Sequence, residues 1–198
     1  MLLGPNGSGK STLIKCMSTG LKCHHGTIRL DGDDIWEHRS RLRRRIAVLS
    51  HDSALYDDLT GRENLDVWAR LGDFEYDGRK LLERVGLDPD RSDPVRAYSA
   101  GMRKRLALAR VLIKEPKVML LDEPFTALDP AGRALLVSVI RELQEKGTTL
   151  IMATHLPVVA KAVCANALVL DAGRVVYRGS SVDVPTDRLG LQGEASAS

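Results

Sequence analysis

The chain has 198 residues, 43% hydrophobic and 28% charged, enough for one domain with a proper core or one domain carrying an inserted subdomain. A formal net charge of +3 excludes the strongly basic balance that would by itself point to nucleic acid, and no apolar run is long enough to cross a bilayer. Three cysteines, Cys16, Cys23 and Cys164, form no paired pattern, which argues against a disulfide framework and fits a reducing cytosol.

In chain order, a glycine-rich turn leads into a predicted helix over residues 11–18. The stretch "GTIRLDGDDI" alternates apolar and polar positions up to Asp31 and Gly32, a strand and turn signal. "RSRLRRR" over 39–45 holds five arginines and reads as a solvated charged face. "RIAVLSHD" is a short buried strand. From about residue 59 to 97 the period becomes helical: "TGRENLDVWARLG" starts on a Thr60 cap three residues before Glu63, and "DGRKLLERVGL" stops at Gly86. A helix over about 100–114 follows. Then come the strand "KVMLLDEP", the helix "PAGRALLVSVIRELQEKG", the strand "TTLIMATH", a further helix and the strand "ALVLDAG". Short apolar strands separated by helices predict an α/β fold with a parallel sheet covered on both faces.

"GPNGSGKS", residues 4–11, fits G-x-x-x-x-G-K-[ST] between an apolar strand end and a helix. Such glycines let backbone amides converge, and the helix amino terminus adds positive potential, so the loop suits phosphate oxygens. Lys10 would reach the β- and γ-phosphates and Ser11 would offer its hydroxyl to Mg²⁺. In "VMLLDEP" a buried strand would deliver Asp122 to that metal and Glu123 beside it, one carboxylate for the ion and one for the attacking water.

The stretch "YSAGMRKRLALARVLIKEPKVMLLDEPFTALD" resembles the core of ABC-type ATPases, in which a serine-glycine signature precedes a helix, a Walker B strand and a D-loop. The resemblance runs from Gly4 to about Gly179 in the family's order. It implies a P-loop NTPase fold of the RecA-like kind, mostly parallel, with an inserted helical subdomain. The implied ATPase domain spans 1–179, with its core at 1–51 and 98–179, the helical subdomain at 52–97 and a flexible tail at 180–198.

The resemblance also implies roles. Gly4, Pro5, Asn6, Gly7, Ser8, Gly9, Lys10, Ser11 and Thr12 would bind ATP. Ser99 and Gly101 of the signature, with Asp129 of the D-loop, would contact ATP held by the opposite subunit of a homodimer. Glu123 matches the catalytic base. His155 reads on its own as a satisfied strand-end histidine, but the resemblance places it at the H-loop, against the γ-phosphate. ATP and Mg²⁺ are the implied ligands, with Ser11, Asp122 and His51 around the metal. The implied setting is the cytoplasmic, inner face of the cell membrane, beside an integral-membrane subunit met through "ALYDDLTGRENL". No nucleic acid is expected.

Three departures bear on this. The signature reads Tyr98, Ser99, Ala100, Gly101, Met102, which resembles exporter-type members. His51 stands where the family has the Q-loop glutamine, which is similar to the haem-exporter ATPases of cytochrome c maturation. The family's aromatic residue upstream of the phosphate loop has no counterpart. Amino-terminal antiparallel strands are therefore expected to be truncated, with Thr27 to Leu30 left on an unpaired edge. The expected function is an ATP-hydrolysing subunit powering export, of haem or else of a drug, lipid or polysaccharide. The rivals are a non-catalytic nucleotide-binding fragment and a soluble non-transport ABC ATPase.

Overall fold

The computed structural model describes residues 1–50 and 54–184. Its strands are β1 (Leu2–Leu3), β2 (Arg29–Leu30), β3 (Asp33–Asp34), β4 (Ile46–Leu49), β5 (Val118–Asp122), β6 (Thr149–Ala153), β7 (Asn166–Asp171) and β8 (Arg174–Ser180). Its α-helices are α1 (Lys10–Met17), α2 (Arg39–Arg43), α3 (Gly61–Gly72), α4 (Gly78–Arg84), α5 (Ala100–Leu112), α6 (Pro130–Glu145) and α7 (Pro157–Lys161).

Six strands form one sheet in the order β4-β5-β6-β1-β7-β8, parallel except for the antiparallel β8 edge. Strand side chains alternate between the two faces, so β1, β4, β5 and β6 each feed two cores. Leu3, Ala47, Leu49, Met119 and Leu121 join a large cluster with Leu106 of α5 and Ile140 of α6. Leu2, Ile46, Leu120 and Ala153 join a smaller one with Ile14 of α1. The parallel strands therefore release their carboxyl ends on one rim, where the phosphate loop follows β1, Asp122 ends β5 and His155 follows β6.

The helical signals hold where capping chemistry is explicit. Thr60 accepts from the Glu63 amide while the Glu63 side chain accepts from Thr60, a complete capping box that also holds the Glu63 carboxyl below the usual range. Thr60→Ala is expected to lower stability by about 1 kcal/mol, a melting shift of about 3 °C by circular dichroism. Asp77 caps α4 and Gly86 follows it at φ +69°. Just inside α3, the fully buried Asn64 donates to the carbonyls of Tyr56, Leu59 and Thr60 and accepts from the Tyr56 amide, fastening the incoming loop to the helix.

The structure refines three expectations. The arginine run is the expected solvated face, with Arg39, Arg41, Arg43 and Arg44 exposed, but it lies on a helix, α2, that buries Leu42 completely, and Arg41 pairs with Asp33, Arg45 with Asp31, and Arg44 donates to the Gly72 carbonyl. Asp31 and Gly32 at φ +54° and +89° turn the chain so that β3 pairs with β2 at Arg29 and Leu30, giving a two-stranded sheet in which β2 has a partner on one side and an open edge on the other among the described residues. The mostly parallel sheet is as expected, but the chain-order reading stops at "ALVLDAG" and omits β8, which returns through Ala172 and Gly173 at φ +44° and +78° to pair antiparallel with β7.

Candidate functional site: a phosphate loop facing two carboxylates

The loop between β1 and α1 takes its shape from glycine backbone. Gly4 sits at φ +143°, and a Cβ there would lie 2.1 Å from the Leu170 carbonyl oxygen and 2.7 Å from Ser8 Oγ. Gly9 sits at φ +103° as the left-handed N-cap of α1, a conformation that other residues adopt only at a cost. Lys10 Nζ donates to the carbonyls of Gly4 at 2.8 Å and Pro5 at 3.0 Å, so its ammonium is folded back over the loop. The far side is anchored to the β7–β8 turn by the Gly173 amide donating to Ser8 at 3.1 Å.

Within this loop Ser8 is buried, and its Oγ has no hydrogen-bond partner among the described residues. An orphan hydroxyl in a folded interior is costly. A phosphate oxygen or water would satisfy it, which fits the loop to an oxygen-rich anion.

A cleft of about 250 Å³ opens here, lined by Asn6, Gly7, Gly9, Lys10, Ser11, Thr12, Asp122 and Glu123. It joins the loop to the β5 end, two segments more than a hundred positions apart in the chain. Asp122 is still paired with Ala153 of β6, while Glu123 leaves the strand at φ +48°. That left-handed conformation is uncommon for a glutamate and is held from several sides. The Glu123 amide donates to Ala153 O at 2.9 Å, and its Oε2 lies 2.8 Å from His155 Nδ1 and accepts from the His155 amide at 3.3 Å.

Ser99, Gly101 and Asp129 do not line the cleft. Ser99 is the N-cap of α5 and accepts from the Met102 amide, and Asp129 is the N-cap of α6 and accepts from the Gly132 amide at 2.8 Å. Both residues thus organise helix starts, as their positions before apolar runs would suggest. His51 lies outside the described residues.

Sequence reasoning missed Lys104. It stands in α5, and its Nζ reaches the carbonyls of Ser50 at 3.4 Å and Glu123 at 3.3 Å. Nothing in a run such as "MRKRLA" distinguishes it from its neighbours. Only its half-buried position between the ends of β4 and β5 does.

The family model described as ABC transporter matches residues 1–126. The chain belongs to the ABC transporter family. It is 40% identical over 191 residues to a daunorubicin resistance ATP-binding protein of Streptomyces coeruleorubidus, covering 94% of this chain and 60% of that protein. It is 38% identical over 194 residues to a Nod factor export ATP-binding protein of Ralstonia nicotianae, covering 96% of this chain and 60% of that one. This ABC family chain therefore spans about 60% of the length of these curated relatives. Among solved structures, an ATP-binding subunit of an ABC transporter superposes with a TM-score of 0.84 at 28% identity, covering 97% of this chain and 82% of that one. A dimeric ATP-binding cassette in a post-hydrolysis state, bound to ADP and Pi, superposes with a TM-score of 0.80 at 24% identity, covering 91% of this chain and 84% of that one, a likeness of fold. The family's P-loop α/β fold, with its mostly parallel sheet, is thus the fold of this chain.

Proposed function

We propose that the protein is the ATP-binding and ATP-hydrolysing subunit of an ABC exporter. The observation that carries this is the cleft that sets Lys10 and Ser11 of the loop against Asp122 and Glu123 of the β5 end. Residues 4–12 would hold the phosphates, with Lys10 exchanging two loop carbonyls for phosphate oxygens. Ser11 and Asp122, with His51, would hold Mg²⁺, which when bound supplies neutralising charge to those oxygens. Glu123 would accept a proton from the attacking water, and His155, joined to its carboxylate, would hold it in place and meet the γ-phosphate.

Ser99, Gly101 and Asp129 stand outside the cleft at the starts of α5 and α6, which suits contact with ATP bound on a second copy of the chain. Among the described residues no helix is long and apolar enough to cross a membrane. In this reading the substrate path belongs to an integral-membrane subunit. The loop tied down by Asn64 is the surface we assign to that subunit, at the inner face of the cell membrane. Relatives named for daunorubicin resistance and Nod factor export favour the broad exporter reading over haem export.

Equilibrium binding of a fluorescent ATP analogue with Mg²⁺ to the purified protein tests the site. Lys10→Ala is expected to weaken binding at least about tenfold, because a charge-assisted contact to phosphate is lost. Equal affinity in the two proteins would sink the assignment.

A further inference from the structure

Glu123 poses a positioning problem that its own side chain does not solve. Its backbone is left-handed, it is the first residue beyond β5, and its carboxylate must keep one orientation to act on water. On one side the peptide is pinned by the Glu123 amide donating to Ala153, and the carboxylate by His155. On the other side the carbonyl of Glu123 takes a hydrogen bond from Lys104 Nζ, and the same ammonium reaches the Ser50 carbonyl at the exit of β4. One cation thus ties together the exits of two neighbouring strands and the helix that begins at Ser99.

We infer that Lys104 is a positioning residue for the hydrolytic step, holding the strained turn at Glu123 in register with the β4 exit and with the helix that carries Ser99 and Gly101. The inference rests on the reading of Glu123 as the base. Lys104 does not itself line the cleft, and its contact with the site is through the Glu123 carbonyl, so it acts through Glu123. Burial pushes its ammonium down from the ordinary lysine range, and the nearby Asp122 and Glu123 oppose that fall. A half-buried cation aimed at two backbone carbonyls makes a charge-assisted contact that a neutral side chain cannot replace.

The role separates turnover from binding. Lys104→Met is expected to lower kcat for MgATP hydrolysis at least about tenfold with KM for ATP within about twofold, the pattern of a misplaced catalytic group. Lys104→Arg, which keeps the charge and the donors, is expected to recover most of the rate. An unchanged kcat in Lys104→Met overturns the inference, as does a fall in kcat matched by a rise in KM without rescue by arginine.

A second readout needs no turnover. Hydrogen exchange at the Glu123 amide, followed by NMR, is expected to quicken at least about fivefold in Lys104→Met, because one anchor of the turn is gone. The same amide in Glu123→Gln keeps both backbone anchors and its wild-type exchange rate. Unchanged exchange in Lys104→Met overturns the inference even if the base reading stands. If hydrolysis survives in Glu123→Gln, the base reading fails on its own account.

Discussion

Glu123→Gln is expected to bind MgATP as tightly as the wild type and to hydrolyse it about a hundredfold to ten-thousandfold more slowly, the range that one positioned proton acceptor supplies. The argument rests on what the substitution leaves alone. Glutamine has nearly the same volume, so the left-handed turn, the amide bond to Ala153 and the contact with His155 can all persist. What disappears is the negative charge that takes a proton from water. Phosphate release in steady state, beside equilibrium nucleotide binding, makes the comparison. Turnover within about threefold of wild type would remove Glu123 from the role of base.

Gly4→Ala is expected to have the largest effect on folding. A Cβ at Gly4 would stand 2.1 Å from the Leu170 carbonyl oxygen, and the backbone there lies at φ +143°. The obstructing atom is backbone in β7, whose Val169 is paired with Leu3 of β1, so relief requires the sheet's centre to move. Strain and overpacking together should cost on the order of 3 kcal/mol or more, a fall of about 10 °C in the melting midpoint, with nucleotide binding lost as the loop deforms. Gly7→Ala is the control: φ is +82° but nothing lies within 4 Å of its Cβ, so only the conformational cost of about 1 to 2 kcal/mol remains. Similar melting temperatures for the two variants would show that the Leu170 contact carries no weight.

Features whose cause is local were legible in the chain. The phosphate loop, the Thr60 capping box, the Gly86 stop and the apolar strand before Asp122 each follow from spacing over a few residues, and each is present. The parallel order was legible because charge-free apolar runs can only be buried on both faces. Tertiary causes were not legible. Leu42 is buried completely inside an otherwise arginine-rich helix, and β8 forms by pairing along the edge of β7. That Glu123 reaches His155, and Lys104 the carbonyl of Glu123, depends on three strand ends meeting at one rim. The "DAG" between two apolar runs was a usable hairpin signal, and a β-turn reading of it would have found β8.

The two faces of the sheet do not share their load equally. The helix that starts at the phosphate loop rests on the compact group formed by Leu2, Ile14, Ile46, Leu120 and Ala153, while α5 and α6 sit on the far larger cluster opposite. Cooperative resistance to local opening grows with the apolar surface a segment shares with its neighbours. The face carrying α1 therefore has the smaller apolar anchorage and the face carrying α5 and α6 the larger. Ligand free energy delivered at the loop would act first on α1, the helix with the smaller share of buried apolar surface, against a frame set by the larger cluster under α5 and α6.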